Sequence, residues 1–261
     1  MKSILQALGS VVRVQTSTRE TRTGKFYPSC AATGFFYASS SQELYLVTNK
    51  HVVYNRKQAH FPEILIIHIP IIKRSMARAI KTHRVKLYDR KTKRKLWQTP
   101  DDPRVDIVAI KVDIATIKID VNEKIGFVPL SNKDTLPKGG QFTIGSPTLV
   151  LGFPESPEPD KTQFYDEFLN FPIARFATIA TLPQFPFNKE RYFLVDAKLH
   201  PGMSGSPVAS VPRAIYTKDD TTVYDDVNSY LVGILSAGWP SLELNAVWPA
   251  QLIEEAIQSG L

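Results

Sequence analysis

The stretch "HPGMSGSPV", residues 200–208, interleaves prolines and glycines with two serines. Either Ser204 is a nucleophile held out on a tight turn, or it is one polar residue in an ordinary β-bend. Gly202 lets the backbone turn so that its own N–H and that of Ser204 converge on one point. An oxyanion hole requires that geometry, and each donor in one is worth roughly 3–4 kcal/mol. Gly205 removes side-chain bulk behind the hydroxyl. A serine nucleophile also needs a base, and a carboxylate that fixes the base.

Five histidines compete for the role of base: His51, His60, His68, His83 and His200. His51 closes the run "YLVTNKHVV", so a strand delivers it to its C-terminal edge, where a base can project into a cleft. His68 and His83 lie within strand patterns, and His60 lies in a loop. His200 is four residues before Ser204, beside Pro201, and is expected to point away from the hydroxyl. The acid candidate is Asp106 in "RVDIVAIKV", poised at the start of an apolar strand. Burial there is costly unless the carboxylate is hydrogen-bonded, as a histidine-orienting acid would be. Asp113 is its competitor but follows the strand.

The chain has 261 residues, 43% of them apolar, enough for a substantial core. Short β-branched or aromatic runs separated by turn residues predict strands at 11–16, 33–38, 43–48, 64–69, 83–88 and 105–112. After a turn-rich stretch, further strands are predicted at 148–152, 174–181, 191–197, 206–210 and 230–237. Only the first eight residues and "PAQLIEEAIQSGL" from Pro249 read as helical. There is no βαβ alternation, Gly-rich phosphate loop or internal repeat. The expected fold is all-β, with two units divided at about 120–140.

The islands "TNKHVV", "DIVAI" and "GMSGSPV" resemble the trypsin/chymotrypsin-like serine peptidases, whose corresponding segments read T-A-x-H, D-I-A-L-L and G-D-S-G-G-P. "VDAKLHPGMSGSPV" is most similar to the disulfide-free bacterial branch, which includes HtrA-type and glutamyl endopeptidase-like enzymes. The resemblance spans roughly residues 10 to 250. It implies two antiparallel six-stranded β-barrels: residues 10–118 carrying His51 and Asp106, a linker at 119–135, and residues 136–246 carrying Ser204. A C-terminal helix follows at 247–261. It also implies an endopeptidase in which His51 is the base, Asp106 its orienter and Ser204 the nucleophile, with the Gly202 and Ser204 amides as oxyanion donors. Lys198, Leu199, Ser236, Ala237 and Gly238 would line the substrate pocket, with Ser236 supporting the buried aspartate. Leu199 favours a small aliphatic residue before the scissile bond, whereas Lys198 at the base would attract Asp or Glu. Nothing acidic stands at the trypsin-type position, so cleavage after Arg or Lys is not expected. The digestive enzymes carry an aspartate just before the serine. Here it is Met203, so their ion-pair switch is not expected.

This reading calls for a protein or peptide substrate and for no cofactor or metal. Between Lys73 and Lys95, eleven Lys or Arg residues accompany one acid, Asp89. That basic run suits an acidic partner or a solvated hairpin. It lacks the interleaved aromatics that stack bases, so nucleic acid is not expected. No apolar run approaches membrane-spanning length. The lone Cys30 forbids an intrachain disulfide, and together with a start that does not resemble a secretory signal it points to the cytoplasm. A catalytically silent module binding through residues 73–95 is the alternative to the enzyme.

Overall fold

In the N-terminal half, residues 35–37 and 45–47 read as continuous apolar runs because both faces of the sheet are buried there. In β1 (Val11–Arg19), Val12 and Val14 point into the interior of that half while Val11 packs outward against the other half. The same period-2 alternation recurs in β2 (Phe26–Ala38), where Phe36 faces inward and Phe35 and Tyr37 outward, and in β3 (Leu44–Thr48), where Leu46 faces inward and Tyr45 and Val47 outward. The outward set meets Leu151, Phe153, Leu231, Ile234 and Trp248 of the C-terminal half, so the two halves share a third core between them. These features come from a computed structural model describing residues 8–19, 26–73, 78–89, 91–117, 123–138, 140–158, 163–166, 170–211, 214–218, 221–225 and 228–259.

In the N-terminal half the main path of hydrogen-bonded strands is β5-β4-β1-β2-β3-β6, with β4 at Ile64–Lys73, β5 at Arg78–Lys86 and β6 at Val108–Lys111. One helical turn, α1 (Lys50–Val53), follows β3. Two short strands fall within 119–135 and attach to this sheet. They are β7 (Glu123–Ile125), antiparallel to β4, and β8 (Leu130–Ser131), parallel to β2.

The C-terminal half is a closed barrel, β10-β11-β12-β17-β16-β13. Its strands are β10 (Pro147–Gly152), β11 (Ile173–Ile179), β12 (Phe193–Asp196), β13 (Pro207–Ser210), β16 (Leu231–Trp239) and β17 (Leu244–Pro249). Its interior is filled by Val150, Ile179, Phe193, Val195, Val208 and Val247, with Met203 fully buried among them. The whole is a chymotrypsin-like double-barrel fold.

Several boundaries differ from the sequence expectation. The final helix, α2 (Leu252–Gln258), starts after Pro249 because Pro249 is still a strand residue, paired with Gly233. The strand predicted at 105–112 begins only at Val108, leaving Asp106 in the loop before it. The predicted strand 83–88 is the tail of β5. Between β13 and β16 the structure adds a hairpin, β14 (Ala214–Lys218) with β15 (Thr221–Asp225), and β14 also pairs with β9 (Gln141–Phe142). Of the predicted N-terminal helix, residues 1–7 lie outside the described residues, and 8–10 are helical.

Candidate active site

His51 stands on α1 with Val52 and Val53 beside it, both fully buried in the core of the N-terminal half, so packing fixes the turn that carries the imidazole. Asp106 grips this histidine with both oxygens. Oδ1 accepts the backbone N–H of His51 at 2.8 Å, and Oδ2 lies 2.6 Å from Nδ1. The carboxylate assigns the proton to Nδ1 and leaves Nε2 as an acceptor. Asn49 donates from Nδ2 to the Asp106 carbonyl at 2.8 Å, which holds the loop out of strand register. From the other half, Ser236 Oγ donates to Asp106 Oδ2 at 2.5 Å. Burial opposes the charged form of His51, but the Asp106 hydrogen bond and charge outweigh it and raise its pKa above the usual value.

Ser204 is reached from two sides. Its carbonyl accepts the Thr33 N–H at 2.9 Å, and Thr33 in turn takes the Thr48 hydroxyl on its own carbonyl at 2.7 Å, three residues before His51. On the other side, the next residue, Gly205, donates to the carbonyl of Leu235, the neighbour of Ser236. The turn therefore sits between the segments that carry His51 and the one that supports Asp106. Among the described residues the Ser204 hydroxyl makes no hydrogen bond, and the amides of Gly202 and Ser204 donate to nothing within the protein.

Both glycines of the turn are required. Gly205 has φ +85°, and a Cβ there would collide with the Thr33 carbonyl and the Thr48 hydroxyl. Gly202 also has φ +85°, and its Cβ would stand 2.6 Å from the Phe153 carbonyl. Thr33, which the sequence reading passed over, donates Oγ1 to the Gly202 carbonyl at 2.9 Å and accepts Phe153 N–H at 3.0 Å. Gln163, between β10 and β11, spans the carbonyls of Ala32 and Phe153, each at 3.0 Å. Beside Gly202 a cleft of about 340 Å³ opens, lined by Gln15, Cys30, Glu155 and Pro201 among others. Burial pushes the Cys30 thiol up, which keeps it protonated.

Of the expected pocket residues, Ser236 is committed to Asp106, Ala237 and Gly238 are exposed, and Leu199 packs against the barrel core. Lys198 is exposed, and its carbonyl accepts Arg175 Nη2 at 2.8 Å. Asn245, a residue without a sequence signal, crosses between these walls. Its Nδ2 donates to the Ala197 carbonyl at 2.7 Å, and its Oδ1 fills the space that a Cβ on Gly238 would need. The other histidines are engaged elsewhere or turned away. His60 Nε2 lies 2.9 Å from the Val52 carbonyl, His68 lies 3.3 Å from Gln15 Oε1, His83 is on β5, and His200 is exposed. Burial, helped by the nearby Arg13, takes the His68 pKa down to about 4. Among the described residues no group of three or more His, Cys, Asp or Glu can hold a metal ion, and no helix is long and apolar enough to cross a membrane.

The double β-barrel, with a carboxylate-bound histidine in one half and a glycine-flanked serine in the other, has the chymotrypsin-like fold. The sequence profile of the trypsin-like peptidase domain matches residues 32–212, and the chain belongs to that family of serine endopeptidases, which act on proteins or peptides. Among solved structures it is similar to the Rv3671c protease from M. tuberculosis in its active form, at 16% identity and a TM-score of 0.52. That match covers 98% of this chain and 82% of the other. The inactive serine-to-alanine mutant of the same protease matches at 15% identity and a TM-score of 0.49, covering 98% and 89%. At such identity the first likeness speaks for the fold alone. No curated protein sequence matches the chain.

Proposed function

We propose that the chain hydrolyses peptide bonds by a Ser204–His51–Asp106 triad through an acyl-enzyme. His51 Nε2 takes the Ser204 proton as Oγ attacks the scissile carbonyl, and the Gly202 and Ser204 N–H groups receive the resulting oxyanion. The imidazolium then gives its proton to the leaving amine. A water deprotonated by the same nitrogen releases the acyl group and regenerates the Ser204 hydroxyl. The observation that carries the reading is the two-oxygen grip of Asp106 on His51, at 2.8 and 2.6 Å.

The residue before the scissile bond is small and aliphatic in this reading: the resemblance puts Leu199 at the pocket, Asn245 Oδ1 lies against Gly238, and Lys198 is exposed. Met203, buried in the barrel core, offers no carboxylate for an N-terminal ion pair, so the site needs no such switch. We read the protein as a processing or regulatory peptidase of the cytoplasm, where its single cysteine suits the reducing environment.

A fluorophosphonate probe tests the mechanism. It is expected to label the parent chain and not a folded Ser204→Ala variant, and an unlabelled folded parent would overturn the reading. The second reading is a silent binding module, favoured by the absence of a hydrogen bond on the Ser204 hydroxyl among the described residues. The same labelling decides between them.

A further inference from the structure

Among the described residues the sheet of the N-terminal half ends at β5. β5 pairs with β4 along Arg78–Lys86, and among the described residues no strand pairs with its other side. At its end the chain reverses, and Leu96 N–H donates to the Leu87 carbonyl at 3.0 Å. Two residues later the returning segment has left β5 and bridges to β6, Gln98 opposite Ala109. The divergence opens a wedge-shaped groove of about 960 Å³ between β5 residues 83–86 and the walls formed by residues 94–99 and 111–113. A continuation runs along Lys81–Arg84 towards Ile117. None of His51, Asp106 or Ser204 lines it.

The groove has an apolar floor and a basic rim. Trp97 and Val112, both almost fully buried, form the floor. Arg84 and Lys86 are exposed on one rim, Arg94 and Lys95 on the other. Lys95 is held over the rings of Trp97 and Tyr54, with Nζ 4.6 and 5.4 Å from their centroids. Lys111 in the wall pairs with Glu43, and Asp113 is the acid at the groove. A lysine-bearing edge by itself is a common guard against aggregation. An edge that borders an apolar trough is more than guarded.

We propose that this groove binds an extended acidic polypeptide segment of a partner protein, which adds a strand to the free edge of β5. The register of β5 sets the chemistry of the guest. Val85 and His83 are half-buried on the inner face, while Arg84 and Lys86 are exposed on the outer one. A strand laid beside them turns alternate side chains to the floor and to the cations. The recognised pattern is therefore acidic and small apolar residues in alternation. Main-chain hydrogen bonds to the edge supply affinity, and the rim charges supply orientation and choice of partner. A nucleic acid would use the cations alone and leave the edge unpaired.

The test uses the full chain carrying Ser204→Ala, so that no peptide is hydrolysed, with fluorescence anisotropy as the readout. The probe is a labelled peptide of four alternating Glu-Val pairs. Expected is binding at least about tenfold tighter than that of the Lys-Val counterpart. N-methylation of either the Glu or the Val amides, whichever set faces β5, weakens binding about tenfold or more. Arg84→Glu with Lys86→Glu also weakens it, and Lys95→Glu serves if that pair fails to fold. No binding of the Glu-Val peptide, indifference to both methylation patterns, or equal binding of a single-stranded oligonucleotide overturns the proposal.

Discussion

Thr33, on a strand of the N-terminal half, donates its hydroxyl to the carbonyl of Gly202, 169 residues away in the other half, at 2.9 Å. The same oxygen accepts the Phe153 N–H at 3.0 Å. One hydroxyl thus fixes both the turn before Ser204 and the loop entry behind it. Thr33→Val keeps the shape but leaves a buried amide without its partner, at about 1–3 kcal/mol. Expected are lower unfolding stability in urea and a loss in kcat larger than any change in KM. Unchanged kcat would deny Thr33 a positioning role.

Asp106→Asn tests the acid. In the proposed mechanism activity needs neutral His51, whose raised pKa puts the acid limb of the kcat/KM profile above the ordinary imidazole value of about 6.5. The substitution removes the hydrogen bond and charge that raise this pKa, while the burial that lowers it stays. The limb should move to lower pH as the plateau falls by about 10⁴-fold. A limb that stays in place would mean another group sets it.

Ser236→Ala removes a 2.5 Å hydrogen bond to a carboxylate across the two halves. Hydrogen bonds to charged groups contribute about 1.5–3 kcal/mol, so calorimetry should find the melting temperature several degrees lower. Peptidase activity should fall as well, because the Asp106 carboxylate loses the support that Ser236 adds to its two His51 contacts. An unaltered melting curve would show that the bond adds nothing.

Gly205→Ala and Gly145→Ala separate two costs of glycine replacement. Both residues have φ near +85°, but a Cβ at Gly145 meets nothing within 4 Å, whereas one at Gly205 collides with Thr33 and Thr48. The Gly145 variant should lose about 1 kcal/mol from backbone strain alone. The Gly205 variant should lose at least about 3 kcal/mol, or fail to fold. Equal losses in urea denaturation would refute the collision.

Asn245→Ala empties the space between Ala197 and Gly238. A peptide-library profile should then shift towards larger residues before the scissile bond, by about tenfold or more. If the profile is unchanged, the Asn245 side chain does not bound the pocket.

The sequence by itself determined that the chain is built of strands, and it marked the three residues of the proposed triad. Runs such as "TGFFYA" and "ELYLVT" announce strands because β-branched and aromatic residues fill both faces, and His51, Asp106 and Ser204 each carry their own local pattern of flanking residues. It misread the ends of elements. Pro249 looks like a helix start, yet its pairing with Gly233 keeps it in a strand; Asp106 looks like a strand start, yet Asn49 and His51 hold it in a loop. The resemblance already put Ser236 under Asp106, and the structure has that bond. Only the tertiary structure decided the other supports of the site: Thr33 on Gly202, Gln163 on Ala32 and Asn245 on Ala197 join residues 169, 131 and 48 positions apart. A single threonine or asparagine has no local signature for such a bond, because its partner is chosen by how two barrels pack. Among the described residues the same packing pairs β5 with β4 on one side only, which turned a basic run into one wall of a groove.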